Sequence, residues 1–209
     1  MKSIPFNNFG YIEDKLPSNL FNNIKIECEN LNHKEMVSGL TGRGVAKHYY
    51  MRDNVQEFQS YIQTLIVKYE NTFRYMNDIK MFSSPTPIMI DTPWINIQKK
   101  YEFIPNHTHD GVYSYTLWVK IPYDIEEEFN NGHCHASTFE FTYNNVTGSV
   151  NNLRIPVSKE YEGKIIFFPA KLQHCVYPFF GPGERRTVAG NLNCHNLTPE
   201  QIKEAQSGV

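Results

Sequence analysis

Two stretches in the first eighty residues repeat their apolar positions at helical spacing. One surrounds "SNLFNNIKIECENLN", where Ser18 is a candidate N-cap. The longer one is "NVQEFQSYIQTLIVKYENTFRYM", with an apolar face formed by Phe58, Ile62, Leu65, Ile66 and Tyr69. A helix with a single apolar face buries that face against a core. The pattern therefore predicts two packing helices in this region.

From about residue 90 onward the pattern changes to short apolar or alternating runs separated by turn residues. Examples are "WINIQKKYEFI", "STFEFTY", "GKIIFFPA" and "RRTVAGNL". In "VYSYTLWVKI" alternation places Tyr113, Tyr115 and Leu117 on one face of a strand, and Thr116 and Trp118 on the other. This spacing predicts an antiparallel sandwich or barrel. A short helix is expected in the tail "LTPEQIKEAQSGV".

Length and composition set the frame for these elements. The 209 residues predict one domain over 1–209, in which a helical region over 1–85 packs on a β core over 90–193. Lys+Arg (20) nearly balances Asp+Glu (22), which excludes the basic footprint of a general nucleic-acid binder. No window approaches the roughly 18 apolar residues of a membrane span, and no export signal is visible, so we expect a soluble cytoplasmic protein. Four cysteines without a CxxC pair argue against a structural zinc site.

Candidate chemistry begins with two histidines in "YEFIPNHTHDGVYSY". Residues i and i+2 of an extended segment point to the same side, so His107 and His109 can present two imidazoles to one metal ion. An isolated pair of this kind more often supplies ordinary surface or hydrogen-bonded histidines. Further ligands are needed before a metal site is indicated.

A third histidine follows in "GKIIFFPAKLQHCVYPFFGPGERRTVAGNL". This stretch predicts a strand, a second strand that opens at His174, a Gly-Pro-Gly turn, and a third strand that opens at Arg185. If the turn folds the last two strands into a hairpin, His174 and an arginine lie close together at one end of it. A third ligand and a fixed cation would then share one site.

The order of these motifs resembles the Fe(II)- and 2-oxoglutarate (2OG)-dependent oxygenases, in particular a group of such enzymes frequent in bacteriophages. The resemblance rests on the HxH, the tyrosine-rich strand, the distal His after "FPA", and the Arg-x-Thr and Asn of "RRTVAGN". It covers roughly residues 90–193. It implies a mainly β protein with N-terminal helices, built on a double-stranded β-helix core of jelly-roll-like, cupin type. Fe(II) and 2OG are the implied cofactors, and the host cytoplasm is the implied location if the protein is viral.

The same resemblance assigns roles to individual residues. His107 and His174 match the two histidine ligands of the metal, and His109 stands where most of the family has Asp or Glu. Three neutral imidazoles leave Fe(II) with its full formal charge, which is a departure from the family pattern. Asp110 could supply the missing carboxylate. It ranks second to His109, because adjacent residues of an extended chain point to opposite sides and Asp110 would face away from the metal. As a turn-former before Gly111 it also has a structural role.

The co-substrate carboxylate is expected on an arginine. Alternation sends Arg185 and Arg186 to opposite faces, and Arg185 shares its face with the polar Thr187 and Asn191. The family's Arg-x-Ser pattern also selects Arg185, with Thr187 as the hydroxyl beside it, and leaves Arg186 as a solvated surface charge. Tyr115 and Asn191 are further candidates for contact with 2OG.

Other histidines are expected to be ordinary. A competing cluster of His133, Cys134 and His135 lies in what the pattern indicates is an inserted loop over 124–137, which would cover the mouth of the site. No second Cys or His cluster stands near it to complete a zinc site. Surface positions without a role are expected for the remaining candidates, namely His33, His48 and His195.

The sequence thus predicts a non-haem Fe(II), 2OG-dependent dioxygenase that hydroxylates an unidentified substrate. A protein side chain, a nucleobase and a small metabolite all stay open as substrates. One alternative is a non-catalytic β-sandwich module of viral origin that serves binding or assembly. The other is a three-histidine, cupin-type metal enzyme that does not use 2OG. Release of succinate distinguishes the first hypothesis from both alternatives.

Overall fold

The computed structural model describes residues 8–31, 47–80, 86–130 and 135–194. Within these ranges lie eleven strands: β1 (Ile12–Lys15), β2 (Lys47–Tyr50), β3 (Ile88–Ile90), β4 (Trp94–Lys99), β5 (Ile104–His107), β6 (Tyr113–Lys120), β7 (Thr138–Asn144), β8 (Val150–Pro156), β9 (Lys164–Pro169), β10 (Gln173–Val176) and β11 (Glu184–Cys194). The helices there are α1 (Ser18–Glu29), α2 (Val55–Phe73), α3 (Tyr75–Asp78), α4 (Ile125–Asn130) and a 3-10 turn at Lys159–Tyr161. The tail helix expected after residue 197 lies outside the described residues.

The strands form two antiparallel sheets that face each other. The larger sheet has the order β1-β9-β6-β11-β4-β2, with β3 also paired to β11, and the smaller has the order β5-β10-β7-β8. Aromatic residues fill one end of the space between the sheets, where Trp118 of β6 lies near Phe139 of β7. Two sheets packed in this way make the expected double-stranded β-helix, a jelly-roll-like core with helices added at the N-terminal side.

The helices cover the outer face of the larger sheet. Phe58 and Tyr69 of α2 are fully buried there. Their rings meet Tyr115 and Tyr113 of β6, each at 5.3 Å between ring centroids. The period-2 face of β6 and the helical face of α2 thus bury each other, which confirms the predicted packing helices.

The start of α1 differs from the prediction by one residue. Ser18 is the first helical residue, Pro17 takes the capping position, and no side chain caps the helix. The Pro17 carbonyl accepts the first helical hydrogen bond, from the Phe21 N–H at 2.9 Å. Proline is compatible with this position because the N–H groups at a helix start have no intrahelical partner. None of the helices in the described ranges has the length and apolar character that a membrane crossing requires.

The predicted hairpin after His174 is wrong. β10 pairs with β5 and β7, whereas β11 pairs with β3, β4 and β6, so the two strands belong to opposite sheets. The Gly-Pro-Gly segment is a crossover between the sheets rather than a tight turn within one. Gly183 has φ +100° there, a conformation that favours glycine. His174 and Arg185 therefore face each other across the interior.

Candidate active site

Three histidines come together where β5 ends and β10 begins. His107 is the last residue of β5 and pairs in register with His174 of β10. Beyond β5 the chain turns at Gly111, with φ +98°, and a Cβ there would lie 2.6 Å from the Leu192 carbonyl oxygen. Glycine is therefore required at this turn, which returns the chain into β6 and places His109 beside the other two imidazoles.

The geometry of this cluster suits one metal ion. One ligand nitrogen from each of His107, His109 and His174 lies within 4.8 Å of the others. The Nε2 atoms of His107 and His109 are 3.2 Å apart. Two nitrogens that each lie about 2.1 Å from one ion are separated by roughly 3.0–3.4 Å at octahedral to tetrahedral angles. The spacing therefore fits two ligands on adjacent positions of one ion.

Backbone carbonyls orient two of the rings. The Nδ1 atom of His107 lies 2.8 Å from the Pro105 carbonyl, and that of His174 lies 2.8 Å from the Leu172 carbonyl. A carbonyl only accepts, so each Nδ1 carries the proton and each Nε2 carries the lone pair. This second set of contacts is typical of metal-binding histidines. Burial and then the neighbouring His107 hold the pKa of His174 well below its usual value, which keeps that ring neutral.

No carboxylate joins the cluster among the described residues. The Asp110 side chain is fully exposed and lies 3.3 Å from Lys171 Nζ, so the carboxylate points away from the imidazoles. His109 occupies the third position instead. A divalent ion here would keep its full formal charge until anionic ligands arrive, because three neutral imidazoles neutralise none of it.

The cluster opens into a cavity of about 510 Å³ between the two sheets. The described residues that line it include two charged ones, Asp110 and Arg185. The Asp110 carboxylate is exposed. Arg185 is 1% exposed and projects from β11 into the interior. The sole buried charge among these lining residues is therefore a cation.

Every hydrogen-bond partner found for Arg185 is neutral. Its guanidinium donates to Gln98 Oε1 at 2.6 and 3.2 Å, to the Tyr123 hydroxyl at 3.0 Å and to the Tyr177 carbonyl at 2.9 Å. No carboxylate from the described parts of the chain pairs with it. Buried cations in proteins are normally paired with an anion, so a ligand carboxylate such as the distal one of 2OG fits this position.

The other predicted co-substrate residues divide into two groups. Thr187 and Asn191 line the same cavity as Arg185. Tyr115 does not, because the face of β6 that carries it turns toward the helices. Its ring is fully buried against Phe58, and its hydroxyl has no hydrogen-bond partner among the residues that the structure describes. Burial raises the pKa of this phenol well above its usual value. Tyr115 is therefore a core residue, and its predicted contact with 2OG is wrong.

His48 is the residue that the sequence analysis missed. It lies on the edge strand β2, is 6% exposed and lines the cavity. Its ring is hydrogen-bonded to Asn96 of β4, and Asn96 in turn to Thr187 of β11. The expectation of an ordinary surface histidine is thus wrong. A signal was present in "WINIQK", where the polar Asn96 and Gln98 alternate with isoleucines in a strand buried on both faces.

Arg186 is not a solvated surface charge as expected. It points to the helix side, where its guanidinium donates to the Cys28 carbonyl at 2.6 Å and pairs with Glu184 at 3.1 Å. The arginine therefore joins the end of α1 to β11. The expected opposite faces for Arg185 and Arg186 are confirmed, but the environment of Arg186 is set by α1 rather than by solvent.

The structure describes only His135 of the competing cluster. The other two members, His133 and Cys134, lie outside the described residues, as do His33 and His195. His135 contacts the Tyr177 ring, with 5.3 Å between ring centroids, and is not part of the histidine cluster. Before it, α4 is anchored by buried Glu128, whose carboxylate accepts from the N–H groups of Phe180 and Gly181 at 2.7 and 2.6 Å. The described part of this insertion is thereby attached to the crossover between the sheets.

A family of known proteins is similar to the part of the chain that carries these residues. Residues 92–191 match the model of a family described as "Putative 2OG-Fe(II) oxygenase". A search with the sequence finds no match among curated proteins. The matched segment contains all three clustered histidines, Arg185, Thr187 and Asn191.

Solved structures show the same fold at low identity. A Pseudomonas putida prolyl-4-hydroxylase is similar with a TM-score of 0.59 and 12% identity, covering 90% of this chain and 94% of that one. A Trichoplax adhaerens prolyl hydroxylase, solved with a peptide fragment of hypoxia inducible factor, gives 0.52 and 11%, with coverage of 97% and 88%. The epimerase SnoN from nogalamycin biosynthesis gives 0.51 and 13%, with coverage of 88% and 76%.

The family match and the shared fold point to one kind of enzyme. The matched residues 92–191 are the β core, somewhat less than half of the chain. They include every sequence-predicted site residue. Residues 92–191 are therefore similar to the 2OG-Fe(II) oxygenase family, whose description gives Fe(II) and 2-oxoglutarate as the cofactors.

Proposed function

We propose that this protein is a 2OG-dependent Fe(II) oxygenase that hydroxylates its substrate, with His107, His109 and His174 as metal ligands and Arg185 and Thr187 as the residues that bind the distal carboxylate of 2OG. The overall reaction consumes 2OG, O₂ and a substrate C–H group, and yields succinate, CO₂ and the hydroxylated product. The observation that carries the proposal is the buried Arg185 guanidinium, which has no acidic partner among the described residues and lies opposite the cluster of three imidazoles.

Each residue has a defined task in this proposal. The imidazoles of His107 and His174 present Nε2 lone pairs whose direction is set by the Pro105 and Leu172 carbonyls. Arg185 offers a planar fork that suits a carboxylate, and its neutral neighbours leave its charge for the ligand. Bound Fe(II) would supply O₂ activation, and 2OG the electrons for it. The buried Phe139 and Trp118 form an apolar part of the cavity wall, where they leave little room for water beside a ligand.

The substrate class stays broad. One similar structure was solved with a peptide, and another is an epimerase of a biosynthetic pathway. These two similar structures support a substrate that is either a side chain of a peptide or a small molecule bound in the cavity. The volume of about 510 Å³ lies within the range of sites for small molecules.

The three-histidine metal enzyme without 2OG is the second candidate, and His109 in place of a carboxylate is the observation that favours it. The buried cation argues for 2OG. Anaerobic protein with Fe(II) is expected to develop the metal-to-2OG charge-transfer band on addition of 2OG, and to release succinate after O₂ is admitted. Neither band nor succinate, from a protein that still binds metal, would favour the second candidate.

Metal affinity tests the ligand set. His107→Ala and His174→Ala are each expected to weaken Co(II) binding by at least about tenfold, a loss that removal of even an outer partner can cause. His135→Ala, a histidine outside the cluster, should leave the affinity unchanged. His109→Asp should retain the metal, because a carboxylate occupies that position in most of the family. Loss of metal from His135→Ala but not from His174→Ala, measured by calorimetry, contradicts the proposed site.

A further inference from the structure

Three polar side chains on neighbouring strands are hydrogen-bonded in series toward the cavity. Asn96 Nδ2 of β4 donates to Thr187 Oγ1 of β11 at 2.9 Å. On its other side, Asn96 Oδ1 lies 2.5 Å from His48 Nδ1 of β2. In both cases the residues are direct partners in the strand register. All three line the cavity, so the series runs across the inner face of the larger sheet.

The direction of the series follows from the chemistry of the amide. Because Asn96 uses Nδ2 to reach Thr187, its carbonyl oxygen faces His48, and His48 Nδ1 must be the donor. Burial lowers the pKa of His48 from its usual value, while the bond to Asn96 acts in the opposite sense. Thr187 Oγ1 therefore accepts from Asn96 and retains its own proton, with which it can donate to a ligand.

The hydroxyl stands beside the buried cation. Thr187 and Arg185 are two residues apart on the inner face of β11, and β4 holds each from the same side. Gln98 accepts from Arg185, and Asn96 donates to Thr187. On the opposite sheet the cavity is lined by the apolar Phe139, Val176 and Ile104 and by the imidazoles of His107 and His174. A polar row that borders apolar side chains is costly to bury unless a polar ligand completes it.

We propose that Asn96 and His48 are positioning residues that orient the Thr187 hydroxyl to donate to the distal carboxylate of 2OG. The inference rests on the proposed function, since it takes Arg185 and Thr187 as the carboxylate site. Asn96 acts directly on Thr187 by occupying its acceptor side. His48 acts one step further away, by fixing which end of the Asn96 amide faces Thr187.

Two keto acids test this on the metal-loaded protein. 2-Oxopentanoate has the keto acid of 2OG but lacks its distal carboxylate, so it reports on the metal end of the site alone. In calorimetry with Co(II)-loaded protein, Asn96→Ala is expected to weaken 2OG binding about 3- to 10-fold, within the range for one hydrogen bond between neutral groups such as Asn96 and Thr187. Its affinity for 2-oxopentanoate should not change. A structural disturbance would weaken both ligands equally and overturn the inference.

Variants of His48 provide a matched pair. His48→Leu removes the donor to Asn96 and is expected to weaken 2OG binding by roughly 2- to 3-fold, because one further bond separates it from the ligand. His48→Asn keeps an N–H near the position of Nδ1 and should restore most of the affinity. Equal affinities in His48→Leu, His48→Asn and the unmodified protein would remove His48 from the series.

A double-mutant cycle tests whether Asn96 acts through Thr187. Thr187→Val keeps the shape of the side chain and removes its hydroxyl. Once that variant has lost affinity for 2OG, adding Asn96→Ala should weaken binding by less than about twofold more, because coupled residues are not additive. Fully additive losses would overturn the inference. If the unmodified protein binds 2OG no more tightly than 2-oxopentanoate, the proposed function itself fails, and the inference with it.

Discussion

Arg185 and Arg186 are neighbours in β11 that carry the same side chain into two different environments. Arg185 enters the cavity between the sheets, where all its hydrogen-bond partners from the described ranges are neutral. Arg186 turns to the helix side and bonds to the Cys28 carbonyl of α1 and to Glu184. Both side chains are largely buried, at 1% exposure for the Arg185 residue and 17% for the Arg186 side chain.

The two faces of β11 repeat this difference along its length. The cavity face continues with the polar Thr187 and Asn191. The helix face continues with Val188 and Leu192, which are fully buried in the core below α2. Burial alone therefore does not distinguish a binding arginine from a structural one. What differs is the charge of the partner: Glu184 pairs with Arg186, whereas no carboxylate from the described residues pairs with Arg185, which is the position that we propose for the carboxylate of 2OG.

The largest effect is expected from removing the cavity arginine. Arg185→Ala should cost roughly 2–5 kcal/mol of 2OG binding, because the carboxylate of the ligand would be buried without its partner. Metal affinity should stay nearly intact, since Arg185 does not belong to the histidine cluster. Titration of the charge-transfer band under anaerobic conditions measures the first quantity, and calorimetry with Co(II) the second.

Arg186→Ala is the matched control for that experiment. It removes an identical side chain one position along the strand, where the contact is with α1. We expect an unchanged affinity for 2OG and a lower melting temperature. Equal loss of 2OG affinity in the two variants would mean that the faces of β11 do not differ in function.

A smaller effect is expected from filling the helix face at Gly190. An alanine Cβ there would overlap the Tyr115 hydroxyl oxygen and lie 2.6 Å from Tyr115 Cζ. Tyr115 is fully buried and cannot swing away, so Gly190→Ala should destabilise the fold by about 1–3 kcal/mol. The affinity of the folded fraction for 2OG should change little, because the strain lies on the face away from the cavity.

The control for Gly190 is relief of the clash from the other side. Adding Tyr115→Leu to Gly190→Ala should cost less than the sum of the two single changes, as measured by denaturant unfolding. Strict additivity would indicate that the ring and the new methyl group do not meet.

The smallest effect is expected from Tyr115→Phe. The Tyr115 hydroxyl is buried without a hydrogen-bond partner among the described residues, so its removal relieves a desolvated group. We expect a gain in stability of less than about 1 kcal/mol and no change in 2OG affinity. A marked loss of 2OG affinity in Tyr115→Phe would restore this residue to the site and reverse the assignment of the two faces of β6.

Local patterns were sufficient for several of these assignments. Alternation placed Arg185 and Thr187 on one face of a strand and Arg186 on the other, because period 2 is a property of any extended chain. The i, i+2 spacing of His107 and His109 likewise brought two imidazoles to one side. The apolar stripe of α2 predicted a packing face, and the structure buries that face against the tyrosines of β6.

Two kinds of prediction were wrong: which face of β6 borders the cavity, and which strands pair with each other. Tyr115 alternates as predicted, but its face meets α2 rather than the cavity, and only the packing of the helices decides that. The strand after the Gly-Pro-Gly segment crosses to the other sheet, since pairing depends on β4 and β6 far away in the chain. His48 gave no local signal of its own.

The sequence by itself determined the residue types of this site and their local spacing: two histidines at i and i+2, a distal histidine, and an arginine two residues before a threonine. Those relations act over a few residues, where backbone geometry leaves few choices. The tertiary structure decided the rest, because sheet pairing joins strands that are distant in the chain. It set His174 beside His107, placed Arg185 in the opposite sheet among neutral partners from the described residues, and brought His48 and Asn96 behind Thr187.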